Sequence, residues 1–338
     1  MRAVWWMVLL LAGPVACCLA EEPDLTELGE RCTDRAGGFS FCPPKGWRLQ
    51  PRLPGACPVL IAPAAAQFHP YAVAGVEETD AGFDDVIKAR RLDHFQAERK
   101  ELAERRFATD SGLKAAKLNG DQTIGERRVR VAVYLFSCPP GRVTVVGMLC
   151  ADTDAARYEP AWDAAAKTFR TEQIVASGSM ANDGRWVEKE GGFSWLPPPG
   201  WRLRLQAESY YKGALRPTER GVTPTVSVAD CPGSEPLKQF VARFYGGLMK
   251  GDQTLRPLFQ KELATDSALA GLKSVYERLD PKSREKRYYT DYFFEVSPGR
   301  KIRMQCVCAA EEGKQLDSVF DACAKTFRLE RTETPVRP

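Results

Sequence analysis

The residues of this chain that are best suited to chemistry are three cysteines and a histidine in its first quarter. Cys32, Cys42, Cys57 and His69 are the ligand types of a Cys₃His zinc site. Their separations of ten, fifteen and twelve residues lack the close Cys-x₂₋₄-Cys pair that is typical of such sites. We therefore expect no metal and no other cofactor, and we expect these cysteines to form disulfides or to remain thiols. A thiol- or metal-dependent enzyme that uses them stays as the alternative hypothesis.

Other catalytic motifs are missing from the sequence. It has no G-x-S-x-G elbow, P-loop or dinucleotide fingerprint between a strand and a helix. A Ser-His-Asp triad would need His69 or His94, the only histidines, and neither recurs at the matching place of the repeat described next. We therefore predict no catalytic residues and no enzyme activity.

Three segments of the sequence appear twice and in the same order. The segment 37–49, GGFSFCPPKGWRL, returns at 191–203 as GGFSWLPPPGWRL, the segment 108–113 returns at 264–269, and 166–170 returns at 324–328. The offsets of 154, 156 and 158 residues match the size of an independent domain and exceed the period of solenoids and propellers. The sequence therefore predicts a duplicated domain. The duplication also helps to separate structural from functional residues, because a residue present in both copies is expected to serve the fold.

The repeat and the termini divide the chain. We predict a signal peptide at 1–20, a lead-in segment at 21–36, a first domain at 37–172, a linker at 173–185, a second domain at 186–330 and a disordered tail at 331–338. Arg2, a short apolar stretch and small residues up to Ala20 are typical of an export signal, which is too short to span a bilayer. A cut before Cys17 would instead make a lipoprotein. Both cuts predict an exported protein of the periplasm or cell envelope, where disulfides form.

Each copy has the same predicted order of elements. Short strands flank a Pro-rich turn, a helix follows, and then come a strand, a long hairpin and a closing amphipathic helix. We expect the hairpins to turn at 139–142 and 297–300, and we expect a charged helix at 83–106 in the first copy where the second has an apolar stripe from Leu237. The predicted fold class is α+β: two tandem αβα-sandwich domains, each with a mainly antiparallel sheet and a C-terminal helix packed on it.

These features resemble a known group. The strand, Pro-rich turn and Gly-Trp near the start of each copy, with a last hairpin and a helix ending in Lys-Thr-Phe-Arg, resemble the PsbP-like superfamily. That group includes the extrinsic photosystem II subunit, a Ran-binding nuclear import factor and bacterial exported proteins of the DcrB type. The resemblance covers 37–170 and 191–328. It implies an αβα sandwich and a binding or assembly role without a catalytic centre, and it supplies no ligand residues.

The eleven cysteines are partly explained by the repeat. Cys150 and Cys308 correspond in the two copies and are expected to be buried structural thiols. Cys306 and Cys323 occur only in the second copy, and such a paired gain predicts a disulfide between them, with Cys308 to Cys323 as the competing pair. The connectivity of the others stays open: Cys32, Cys42, Cys57 and Cys138.

Composition limits the class of partner. The 338 residues are 44% hydrophobic and 27% charged, which is ordinary for a globular protein. The 48 basic and 44 acidic residues give a net charge of +4, which is too even to favour nucleic acid. We predict a non-catalytic cell-envelope protein, a binding or assembly module with a protein partner that the sequence does not identify. Contact with the membrane is expected only through a lipid on Cys17.

Overall fold

The computed structural model describes residues 27–50, 57–62, 70–94, 103–124, 127–174, 178–206, 209–216, 222–280 and 284–330. These residues divide into two compact units, 27–174 and 178–330, which we call the first and the second unit. Within the described ranges, no helix is both long and apolar enough to cross a bilayer. The predicted signal peptide with Cys17, His69 and the predicted tail at 331–338 lie outside the described residues.

The described residues of the first unit form two antiparallel sheets, two α-helices and a 3₁₀ helix at Asp152–Asp154. Its elements are β1 (Cys32–Asp34), β2 (Phe39–Phe41), β3 (Arg48–Leu49), β4 (Val59–Ile61), β5 (Tyr71–Glu78), α1 (Phe83–His94), β6 (Ala103–Ala108), β7 (Lys114–Ile124), β8 (Arg127–Cys138), β9 (Arg142–Ala151), α2 (Ala155–Lys167) and β10 (Arg170–Thr171). The small sheet has the order β1-β2-β10, and the large sheet has the order β3-β4-β5-β9-β8-β7-β6.

The second unit repeats this plan. Its elements are β11 (Gly178–Met180), β12 (Trp186–Glu188), β13 (Phe193–Trp195), β14 (Arg202–Gln206), β15 (Ser209–Leu215), β16 (Thr225–Pro232), α3 (Leu237–Gly251), β17 (Arg256–Ala264), β18 (Ala270–Leu279), β19 (Lys286–Ser297), β20 (Arg300–Ala309), α4 (Gly313–Lys325) and β21 (Arg328–Leu329). The sheets have the orders β11-β12-β13-β21 and β14-β15-β16-β20-β19-β18-β17. The predicted α+β class with tandem copies is therefore confirmed.

Each large sheet carries a helix on both faces. Along β19, Tyr292 and Phe294 lie in one core with Phe320 of α4, whereas Phe293 packs against Phe240 of α3 with ring centroids 6.0 Å apart. Successive side chains of a strand point to opposite faces, so α3 and α4 cover opposite sides of the sheet. This is the αβα sandwich that the sequence predicts.

The long hairpins turn where the sequence predicts. The first runs from β8 through 139–141 into β9, and the second runs from β19 through 298–299 into β20. Gly141 and Gly299 adopt positive φ values of 58° and 80° in these turns. Glycine is required there because other residues adopt this conformation at a cost.

The expected helix at 83–106 is wrong in its second part. Helix α1 spans Phe83–His94 in the described residues, and 103–108, which includes the last four residues of the predicted helix, forms the edge strand β6, paired with β7. Arg105 lies 2.9 Å from Asp163 of α2, whereas the next residue, Arg106, lies 2.6 Å from Asp84 of α1. Consecutive side chains thus point to opposite faces, as they do in a strand. An edge strand that is charged on both sides lacks the apolar alternation that identifies strands in a sequence.

The closing helices α2 and α4 are fixed by aromatic side chains. In the first unit Phe136 stacks on Phe169 at 3.8 Å, and Trp47 packs edge-on against Trp162 at 4.9 Å. The second unit repeats these contacts, with Phe294 on Phe327 at 4.5 Å and Trp201 against Phe320 at 6.3 Å. The tryptophan after each Pro-rich turn therefore packs against the closing helix.

Candidate functional site

One polar cluster occurs in both units, on the sheet face that the closing helix covers. A buried lysine lies 2.7–3.1 Å from two acidic residues one turn apart on the helix, and a tyrosine of the next strand donates a hydrogen bond to one of these acids. The members are Lys117, Tyr134, Glu159 and Asp163 in the first unit and Lys273, Tyr292, Asp317 and Asp321 in the second. Because both copies contain it, we assign this cluster to the packing of the closing helix.

A second duplicated cluster joins the small sheet to the end of each unit. Arg31 donates to the carbonyl oxygen of Thr168 at 3.0 Å, and Ser40 donates to Glu172 at 2.5 Å. In the second unit the same roles belong to residues 154 to 158 positions later: Arg185, Ser194, Thr326 and Glu330. Arg31 and β1 belong to the segment predicted as a lead-in. In the structure, β1 is a strand of the small sheet, and Arg31 precedes it directly. This cluster also serves the fold.

A third polar cluster occurs in the second unit alone, on the face of the large sheet below α3. We call this cluster the polar face; its members are Ser274, Tyr276, Asp291, Arg303 and Gln305, with Tyr245 of α3 above them. Ser274 pairs across the strands with Asp291, and Asp291 pairs with Gln305. The positions of the first unit in the same register hold apolar residues or glycine: Leu118, Val133, Val145 and Gly147.

The polar face is organised around one carboxylate. Arg303 Nη2 lies 2.9 Å from Asp291 Oδ2, and the Tyr245 hydroxyl donates to the same oxygen at 2.7 Å. Gln305 Nε2 donates to Asp291 Oδ1 and to the Tyr276 hydroxyl oxygen, both at 3.2 Å. Asp291 is 0% and Arg303 4% exposed, so the charges are desolvated. A desolvated pair of this kind holds one fixed arrangement of donors and acceptors.

The protonation states of the two tyrosines and the arginine follow from their surroundings. Burial raises the pKa of Tyr245 and of Tyr276, and the nearby Asp291 adds to the rise. Burial by itself lowers the pKa of Arg303, but Asp291, Tyr276 and Tyr245 together outweigh it, so that the pKa is raised. The tyrosines therefore stay neutral and the arginine stays charged near neutral pH. A group that transfers protons in catalysis needs a pKa near the working pH, and the shifts of these tyrosines and of the arginine lead away from it.

The polar face extends to partly exposed strands beside α3. Helix α3 packs on β18 and β19, and on the neighbouring strands Ser227, Gln305 and Val307 are only partly buried.

Two polar atoms in the buried part of the polar face, Ser274 Oγ and Arg303 Nε, have no hydrogen-bond partner. Such atoms are rare in protein interiors and each calls for an explanation.

The cysteines in the cores are buried thiols. Cys150 and Cys308 are both 0% exposed, as expected for structural thiols, and burial raises the pKa of each to about 12. Cys323 Sγ donates to the carbonyl oxygen of Leu196 at 3.2 Å. Burial raises the pKa of Cys306, and the nearby Cys323 adds to this effect. No disulfide joins any two of the described cysteines, so the bond between Cys306 and Cys323 stays a prediction for two neighbouring thiols.

Two cysteines of the first unit, Cys32 and Cys42, lie close together. Strand pairing brings Cys32 close to Cys42, and burial raises the pKa of Cys32, with Cys42 and Glu30 adding to the rise. A nucleophilic cysteine needs a lowered pKa. Among the described residues, no three His, Cys, Asp or Glu side chains are grouped to hold a metal ion. His69 and the side chain of His94 lie outside those residues.

Sequence reasoning missed the polar face, although a signal was present. The return strand of the second hairpin alternates Lys301, Arg303 and Gln305 with apolar residues, where the first copy has Val143, Val145 and Gly147. A comparison of the two copies at this strand would have singled out these positions. That the polar side faces a helix and is buried follows only from the structure.

Comparisons with known proteins concern the fold. No family model and no curated protein matches the sequence. Similar solved structures include LpqN, involved in cell envelope biogenesis of Mycobacterium tuberculosis, at 17% identity over 43% of this chain and 85% of that chain, with a TM-score of 0.33. PsbP from Synechocystis sp. PCC 6803 matches at 19% identity over 47% and 99%, with a TM-score of 0.32. The immunity protein TplEi of T6SS from Pseudomonas aeruginosa matches at 11% identity over 86% and 99%, with a TM-score of 0.29.

Proposed function

We propose that this chain is a non-catalytic, exported protein of the cell envelope that binds a partner protein through the polar face of its second unit. The observation that carries the proposal is the buried pair of Arg303 and Asp291, which is present in one copy of the fold and replaced by valines in the other. Burying an ion pair costs desolvation that the attraction between its charges offsets only in part. The first unit has valines at these two positions and places a different ion pair under its helix, Arg90 of α1 with Glu77 of β5, so the shared fold does not require the pair of Arg303 and Asp291.

The chemistry of the described residues favours binding over catalysis. Burial raises the pKa of every described cysteine with a shifted value: Cys32, Cys138, Cys150, Cys231, Cys306, Cys308 and Cys323. These thiols are therefore protonated and weakly nucleophilic near neutral pH. Asp291 already accepts hydrogen bonds from three side chains, which leaves it poorly placed to remove a proton from a substrate. These features count against the alternative of a thiol- or metal-dependent enzyme.

Site-specific crosslinking tests the binding function. A photo-crosslinking amino acid at Thr225 lies on the partly exposed strand β16 next to Val307, and the matched control at Tyr71 lies on β5 next to Leu149. Both positions are partly buried. Illumination of the native host should give one discrete protein adduct from Thr225 and none from Tyr71. Equal adducts from both positions, or none from Thr225, would sink the proposal.

The mass of the mature chain tests export. Protein isolated from the envelope fraction should begin after Ala20 or at an acylated Cys17. A Cys17→Ser variant separates the two cuts, because only a lipoprotein loses its membrane association with that change. A chain that retains Met1 and stays in the cytoplasm would rule out an envelope role.

A further inference from the structure

Helix α3 changes in character halfway along its length. Its first half is anchored by Phe240, Val241 and Phe244, which are buried. Gly246 and Gly247 follow, and a Cβ added at either would meet no atom within 4 Å. Close packing therefore does not require glycine at these positions. Each glycine weakens a helix about fivefold relative to alanine.

The last two turns of α3 lie between two anchors. On one side Phe244 packs against Phe293 with ring centroids 5.4 Å apart. On the other side Leu255, just beyond the helix, is 7% exposed and packs with Tyr276 and Tyr289. We call the segment 245–251 between these anchors the strap. Its residues 246–251 contribute no fully buried side chain.

The strap covers the polar face mainly through Tyr245, and Leu248 packs against the neighbouring cluster of Leu255, Tyr276 and Tyr289. Tyr245 packs edge-on against Tyr276 at 5.5 Å and donates its hydroxyl hydrogen bond to Asp291. Ser274, which is beside Asp291 in the sheet, is 5% exposed and its hydroxyl has no partner. Displacing the strap would therefore uncover the carboxylate of Asp291 and the hydroxyl of Ser274 beside it, whereas the guanidinium of Arg303 stays under the ring of Phe244, 4.9 Å from its centroid.

The first unit lacks both features. Helix α1 contains no glycine, and the sheet positions in register with Ser274 and Asp291 hold Leu118 and Val133. The weak helix and the buried polar face thus occur together in one copy and are absent together from the other. The first unit instead has an ion pair between its helix and the sheet, Arg90 with Glu77, so the fold that both copies share does not require the arrangement of the second unit.

We propose that the strap opens by local unfolding between Phe244 and Leu255 and that this opening gives the partner access to the polar face. The inference rests on the proposed binding function and adds a means of regulating it. Elements that gate binding belong to the least stable parts of a fold. A partner that binds only the open state must offset the free energy of opening, so its affinity is set partly by Gly246 and Gly247.

Thiol labelling of a Ser274→Cys variant of the full chain tests the strap directly. Because the Ser274 hydroxyl makes no hydrogen bond, the change removes none. Labelling of the reduced protein is followed by peptide mapping, with Cys308 as the reporter of global unfolding because it lies in the opposite core. We expect the thiol at 274 to react at least about tenfold faster than Cys308, as a sub-global opening requires. Adding Gly246→Ala and Gly247→Ala should slow labelling at position 274 about 30-fold, because both changes stabilise the helix. Adding Tyr245→Phe should speed labelling at position 274, because it removes the hydrogen bond to Asp291.

The contrary result is equal labelling at position 274 and at Cys308 in every variant, which would mean that Ser274 is exposed only by global unfolding. If Ser274→Cys does not fold, hydrogen exchange of the unchanged protein decides the question. The amides of 246–251 should exchange faster than those of α1, and equal protection would overturn the proposal. No partner is present in either measurement, so their failure would leave the crosslinking test of the binding function untouched.

Discussion

Arg303 and Asp291 form a buried ion pair, with Nη2 2.9 Å from Oδ2, at two positions that are occupied by Val145 and Val133 in the first unit. The same arrangement of seven strands thus has two valines at these positions in one copy and two opposite charges in the other. Well-packed apolar residues at such positions are often as stable as the ion pair or more stable. The pair is therefore a feature that the fold tolerates and does not need.

Removing only one of the two charges should be costly. In an Arg303→Val variant the carboxylate of Asp291 stays buried without its ion-pair partner, so the unfolding free energy of the second unit should fall by about 3–5 kcal/mol. Urea denaturation followed by hydrogen exchange of peptides from each unit measures this. The control Val145→Ala should affect the first unit alone. A loss below about 1 kcal/mol for Arg303→Val would contradict the burial of an intact pair.

The duplicated lysines should matter equally in both units. Lys117 and Lys273 are 5% and 0% exposed, and each holds two acidic residues of a closing helix. Lys117→Met and Lys273→Met should each lower the unfolding free energy of their own unit by about 1–3 kcal/mol, since the acids lose hydrogen bonds from a charged donor. Lys45→Met, which removes an exposed pair with Glu27, should change stability by less than about 1 kcal/mol. Equal effects of all three changes would mean that the lysines do not hold the helices.

The stability of the second unit should depend on pH through Asp321. Burial by itself raises the pKa of Asp321, but Lys273 and Tyr292 outweigh it and lower the pKa below the ordinary 3.8. A carboxyl with a lowered folded pKa contributes stability that is present above its unfolded pKa and is lost as the pH falls through the folded value. Asp321→Asn should therefore flatten the decline in stability below about pH 5. Identical slopes for wild type and variant in acid titrations would exclude this role.

The thiols of the second unit should pair in an oxidising compartment. Cys306 and Cys323 are buried neighbours in the core under α4, and the paired gain of both residues predicts a disulfide. Peptide mapping of exported protein without reduction should recover them as one linked species, which Cys323→Ser abolishes. Recovery of Cys308 linked to Cys323 would select the competing pair. Separate alkylation of Cys306 and Cys323 would show that they remain thiols.

Much of the fold was predictable because its signals are local. The repeated Gly-Trp segments, the hairpin turns at Gly141 and Gly299 and the closing helices follow from turn residues and apolar periodicity. The edge strands β6 and β17 were missed because most of their side chains are exposed, so no alternation of apolar and polar residues identifies them.

The return strand shows some polar positions of the second copy, but the polar face as one cluster could not be predicted because its parts are distant in sequence. Tyr245 precedes Asp291 by 46 residues, and Arg303 follows it by 12. Each of these residues is typical of a solvated surface when it is considered alone. Only the strand register, which aligns Asp291 with Gln305 and places both below α3, shows that they form one cluster.

The most direct test of the account is crosslinking from Thr225 in a double variant, Asp291→Val with Arg303→Val, which copies the residues of the first unit. Urea denaturation of the double variant shows whether it folds: its unfolding free energy should stay within about 1 kcal/mol of the wild-type value or rise above it. The account predicts that the folded variant loses the protein adduct which wild type gives in the native host. A folded variant that retains the adduct at the wild-type level would contradict the claim that this pair serves partner binding.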